Sequence, residues 1–173
     1  MRFSILALTL LPPLAAPLAA QHEHPGSPYA ALGTGALPLL PEEIEQLRSG
    51  DGMGLALPAE LNHFPGPKHV LELGAELALT AEQRGRVDEI RIAMLEQAIA
   101  KGEEIIAAVG HLAGSFRSGE PTADAVARIT AHIGALRGEL QAIHLRAHVA
   151  TRAALTEAQV AEYDRLRGYV TSG

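Results

Sequence analysis

Two stretches of this chain place apolar residues at alternating steps of three and four over many turns. The first reads Ile92, Leu95, Ile99, Gly102, Ile106, Val109, Ala113 and Phe116, preceded by Val87, Ile90 and Met94. The second reads Val126, Ile129, Ile133, Leu136, Leu140, Ile143, Ala147, Ala150 and Ala154. Residues three and four apart share one face of a helix, so each stretch presents a single apolar stripe. A seam of this period packs against a partner helix. Ser118 to Pro121 is a short turn between them, which predicts an antiparallel hairpin of two helices, each about 45–50 Å long. Gly102 and Gly110 each cost roughly 1 kcal/mol relative to Ala inside a helix, and read as places where another helix comes close or the axis bends. The predicted fold class is all-α. A hairpin so long, with a thin Ala-rich seam, has little core of its own, so a homodimer is expected.

The starts of the helices are marked as clearly as their faces. Thr80 is an N-cap with Gln83 three residues on, and Thr156 and Gln159 repeat the arrangement. In such a capping box the hydroxyl accepts the third backbone N–H of the helix, and the glutamine returns to the cap N–H. Leu155 and Val160 add a hydrophobic staple. Short helices flank the pair: one carries Val70, Leu73 and Leu77, and a last one carries Val160, Tyr163, Leu166 and Val170. Upstream, residues 21–66 form a Pro- and Gly-rich irregular arm with one short helix at Pro41 to Ser49. Pro41 suits its first turn, Glu42 and Glu43 its positive end, and Gly50 its stop. Leu55, Leu57 and Leu61 suggest that the arm packs on something. Residues 67–173 make up the helical domain.

The first 20 residues read as a secretory signal peptide: Arg2, the apolar run Phe3 to Leu11, helix-breaking Pro12, Pro13 and Pro17, then Ala19 and Ala20. Cleavage after Ala20 would deliver the chain to the periplasm. The apolar run is shorter than the ~20 residues a spanning helix needs. The alternative is an uncleaved interfacial anchor. There is no cysteine, which rules out disulfides, thiol catalysis and thiolate metal ligation. The chain carries 14 Lys and Arg against 20 Asp and Glu, with a net charge of −6 and no Trp. Nucleic-acid binding needs a basic footprint or stacking aromatics, and neither is present.

Leu79–Gln83 and Leu155–Gln159, two Leu-Thr-x-x-Gln motifs bracketing a helical pair after a leader, resemble the bacterial LTxxQ family. That family includes Spy/CpxP-type periplasmic chaperones and stress regulators and related periplasmic heavy-metal sensors. The resemblance covers roughly residues 67–170. It implies a four-helix, hook-shaped subunit that dimerises around a cradle-like concave face. It also implies one of three roles: binding unfolded envelope proteins without ATP, damping a membrane stress sensor, or binding transition metals. Two departures stand out. Chaperone members have a basic concave surface, whereas this chain is acidic. In the nickel- and cobalt-sensing branch a His and a Met precede the second motif's Leu by eight and four residues, and here those positions hold Ala147 and Thr151.

Among candidate sites, His144 and His148 are four apart on the second long helix, a spacing at which both could reach a Zn, Ni or Co ion. The heptad places His144 beside the seam and His148 facing out. Two ligands alone do not complete a site, so the preferred reading is a pair of surface histidines. His22 and His24 could gather an ion too, but a segment so close to the cleavage site reads as solvated. His63, His69, His111 and His132 show no ligand spacing, and Met53 and Met94 make no Met-rich site. No Gly-rich phosphate loop, Gly-x-Ser-x-Gly elbow or His-Glu-x-x-His is present. The expectation is a binding protein and not an enzyme, requiring no cofactor. Unfolded-client binding ranks first and a metal sensor second.

Overall fold

The computed structural model describes residues 37–169 together with Ser27, Tyr29, Ala30 and Gly33. The leader expected at 1–20 with its cleavage after Ala20, and His22, His24 and Val170, lie outside the described residues. Contacts divide the chain into residues 1–34 and 35–173. In the first part, Ala30 and Gly33 close a short turn through the carbonyls of Ser27 and Ala30. The second part is all-helical among the described residues: α1 (Pro41–Ser49), α2 (Leu57–Glu60), α3 (Pro67–Glu72), α4 (Ala81–Arg117), α5 (Ala123–Ala154) and α6 (Glu157–Arg167). None of these helices is long and apolar enough to cross a membrane.

Local signals set the ends. Pro41 opens α1, and Gly50 closes it with a left-handed φ of 70° that L side chains rarely adopt. Thr80 and Thr156 both form complete capping boxes with Gln83 and Gln159. Thr122, which the sequence reading passed over, caps α5 by accepting from the Ala125 N–H. α3 stops at Glu72, short of the helix read through Leu77. Leu73 to Ala78 coil into turns, with Ala78 at a φ of 48°, because the chain must double back into α4.

Two cores hold the helices. Leu47 of α1, Ala98, Ile105 and Val109 of α4, and Leu136, Leu140 and Ile143 of α5 form the first. Val70, Leu77, Val87, Leu155, Val160 and Tyr163 form the second, where α3, α6 and the capped ends meet. On α5 the expected seam is buried at Leu136, Leu140, Ile143 and Ala147. On α4 the expected stripe is buried at Val87, Gly102 and Val109 and is corrected at Ile92, Ile99 and Phe116. Val87, Ala98, Gly102, Ile105, Ala108 and Val109 are the buried residues, while Ile92, Ile99 and Phe116 stay exposed. The reason is α1, which crosses α4 at Gly102. There an added methyl would overlap the Leu47 carbonyl, so only glycine permits the approach. The packed face of α4 thus combines small residues, Ala98, Gly102 and Ala108, with Val87, Ile105 and Val109. Residues 37–66 accordingly fold into the same compact unit as the helices that follow.

Candidate functional site

Residues 51–69 run over α5 and α6 as a strap, and polar side chains from beneath hold it. Gln141 donates to the Leu55 carbonyl at 3.2 Å, and His148 Nδ1 lies 2.8 Å from the Phe64 carbonyl. The Tyr163 hydroxyl donates to both oxygens of Glu60, at 2.9 and 3.1 Å. His69 Nδ1 meets the same carboxylate at 3.3 Å. His63 takes a left-handed φ of 65°, uncommon for a residue with a side chain, and its Nδ1 lies 2.6 Å from the buried Asp164 carboxylate. Burial first, and the Glu60 charge second, push the Tyr163 phenol's pKa well up, so it stays a donor to that carboxylate.

A cleft of about 410 Å³ opens between the strap and the long helices. Asp51, Met53, His69, Met94, His144 and His148 are among its walls. The outward placement of His148 is thereby corrected, as is the reading of both histidines as surface residues: His144 is 3% exposed and His148 7%. The strap covers a second face of α5 next to the seam, and a heptad drawn for two helices does not include it. His144 Nε2 is buried without a hydrogen-bond partner. Desolvation lowers its pKa, the neighbouring His148 lowers it further, and Asp51 acts against them. His144 is thus held neutral.

The two Leu-Thr-x-x-Gln motifs meet at the second core. Gln83 Nε2 donates to Gln159 Oε1 at 2.8 Å, and Gln159 Nε2 donates back to Gln83 Oε1 at 2.9 Å. Each amide nitrogen also donates across the junction, Gln83 to the Ala154 carbonyl and Gln159 to the Leu77 carbonyl. Each amide oxygen also accepts its own cap N–H, from Thr80 and from Thr156. Both donor hydrogens and both oxygen lone pairs of each glutamine are therefore used. Leu155 is buried and Leu79 half-buried beside them, while Thr80 and Thr156 remain exposed. The motifs are a structural junction as well as two caps.

The sequence reading missed His69, Asp51, Met53 and Met94 as neighbours of His144 and His148, along with the supporting Glu60, Tyr163 and Asp164. Their separations along the chain exceed any local period, so no spacing rule could have found them. His111 and His132 line a shallow groove between α4 and α5 with Glu104 and Arg128, away from the strap's cleft. No protein-family model, curated protein or solved structure matches the chain.

Proposed function

We propose that the chain is an exported, ATP-independent binder of unfolded or misfolded envelope proteins. It would act as a refolding chaperone or as a modulator that reports such clients to a membrane stress sensor. The reading is of Spy/CpxP type: the long helices form an antiparallel hairpin within a hook-shaped four-helix subunit, and two subunits pair as a homodimer. The observation that carries it is the apolar surface left on the long helices. Ile92 is 48% exposed, Ile99 38%, Phe116 56% and Val149 55%. Ile92 and Ile99 are two turns apart on one side of α4. Single exposed apolar residues are ordinary, but several along paired helices offer shallow, reversible contact to unfolded chains.

The test is aggregation of an unfolding client. The protein should suppress it at near-stoichiometric ratio without ATP and in the presence of chelator. Replacing Ile92 and Ile99 with Ser should reduce protection while helicity is kept. Undiminished protection by that variant would remove the apolar surface from the account, and no protection by the wild type would end the reading.

A second reading, a periplasmic Zn, Ni or Co sensor, is favoured by one observation. His144 and His148 both reach the wall of the cleft beneath the strap.

A further inference from the structure

Contacts within the chain hold the walls of the strap's cleft. Gln141, His148 and Tyr163 fix the strap. Gly66 lets it lie against α5, since a Cβ there would come within 2.8 and 2.9 Å of the His148 Cε1 and Nε2. The cleft's volume of about 410 Å³ falls in the range of small-molecule sites, about 300–1,000 Å³. Its walls differ along their length. Arg91, Met94 and Leu95 are three and four apart, so one face of α4 turns a cation and two apolar side chains to the cleft. Met53 and Met94 lie against the first core. The other two cations, Lys68 and Arg167, belong to α3 and α6, the helices of the second core. Lys68 and Arg91 make no ion pair among the described residues, and Arg91 is half-buried. A guanidinium partly withdrawn from water is costly unless an anion meets it. Of the two carboxylates in the walls, Glu60 already accepts from Tyr163 and faces His69, which leaves Asp51. With the histidines counted neutral, three cations against two carboxylates leave one positive charge.

We propose that this cleft binds a small organic monocarboxylate, with its carboxylate on Arg91 and Lys68 and its apolar body along Met53, Met94 and Leu95. The planar fork of a guanidinium matches the two oxygens of a carboxylate. Methionine adapts to apolar bodies of different shape, and burying such a body supplies affinity. One surplus positive charge suits a single carboxylate better than a doubly charged phosphate. The walls already stand in place, so the ligand enters without a rearrangement of the strap. Ile92 and Ile99, which carry the client reading, are not among the walls, and neither site depends on the other.

Calorimetric titration with octanoate and with phenylacetate tests this, with octanol as the uncharged counterpart. One acid per chain is expected at millimolar concentration or tighter, and octanol should bind at least about tenfold more weakly than octanoate. Methyl labelling of methionine locates the ligand, because Met53 and Met94 are the only methionines after Met1. Both of their NMR signals should shift and saturate together. Arg91→Gln should weaken octanoate binding at least about tenfold, and Arg91→Gln with Lys68→Gln should remove it. Both variants should keep their helicity and their protection of clients, which separates failure of this site from failure of the chaperone reading. Equal binding of octanol and octanoate, or undiminished binding by the double variant, would overturn the proposal. Octanoate binding that leaves both methionine signals still and is lost in Ile92→Ser with Ile99→Ser would place the acid on the client surface and overturn it too. Inorganic phosphate bound in preference to both acids would overturn it in favour of phosphate, and binding of neither acid would end it.

Discussion

Gln83 and Gln159 show how much a single side chain can carry. Each satisfies a helix start, and each also spans the junction between chain segments more than 70 residues apart. Gln83→Ala leaves the Thr80 N–H, the Ala154 carbonyl and half of the Gln159 amide without partners. It should cost about 1–3 kcal/mol, at or above the roughly 0.5–2 kcal/mol expected for Thr80→Ala, which removes only a cap. A double-mutant cycle over both glutamines should give a coupling of about 0.5–3 kcal/mol in urea unfolding. Strictly additive effects would mean that the amide pair does not form. His144 supports a second prediction at this scale. Its folded pKa lies below the ordinary imidazole value of 6.5 because it is buried. As pH falls through 6.5 the unfolded chain takes up a proton that the folded chain refuses. The stability that neutral His144 allows is therefore present above that pH and declines as pH drops toward the folded value. Urea midpoints compared at about pH 8 and about pH 5.5 should fall in the wild type and fall less in His144→Leu. An equal fall in both would show that His144 is not the group responsible.

Glycine has opposite meanings at different places along the long helices. At Gly102 a methyl would collide with the backbone of α1. Gly102→Ala should therefore destabilise by about 1–3 kcal/mol, as overpacking does, despite its better helix propensity. At Gly138 nothing lies within reach of a Cβ. Gly138→Ala should stabilise by up to about 1 kcal/mol. Thermal or urea denaturation decides the pair, and stabilisation by both substitutions would mean that α1 does not cross α4 there. Gly102, where α1 crosses, lies on the stripe expected for α4, and so do the buried Val87 and Val109. Ile92 and Ile99 of that stripe stay exposed, while Ala98 and Ile105 are buried in their place.

For the molecule as a whole, the strap ties the two cores together. The first core joins α1 to the middle of α4 and α5, and the second joins α3, α6 and the capped ends. Residues 51–69 pass between these regions, with Met53 and Leu55 packed on the first core and hydrogen bonds from Gln141 and His148 of α5 and from Tyr163 and Asp164 of α6. A dimer contact through Ile92 and Ile99 would take those residues from clients; in that arrangement Ile99→Glu should convert the protein to monomer without unfolding it, because the residue is outside both cores. Sedimentation equilibrium at micromolar concentration checks this. A wild type that is already monomeric would end the dimer proposal and leave the apolar surface free for clients.

Helix identity, the starts at Thr80 and Thr156, and the short helix from Pro41 to Ser49 were legible in the sequence. Each depends on residues within four positions of one another, and helix periodicity and capping act over that range. The α5 seam at Leu136, Leu140 and Ile143 was legible for the same reason. Tertiary structure alone decided the rest: which side of α4 is buried, that the two glutamines join, and that His69, His144 and His148 share one cleft under the strap. These outcomes depend on where α1 and residues 51–69 come to rest. That placement is set by steric fit at Gly102 and Gly66 and by the hydrogen bonds that hold the strap. Neither leaves a periodic trace along the chain, since each partner lies tens of residues away from the group it meets.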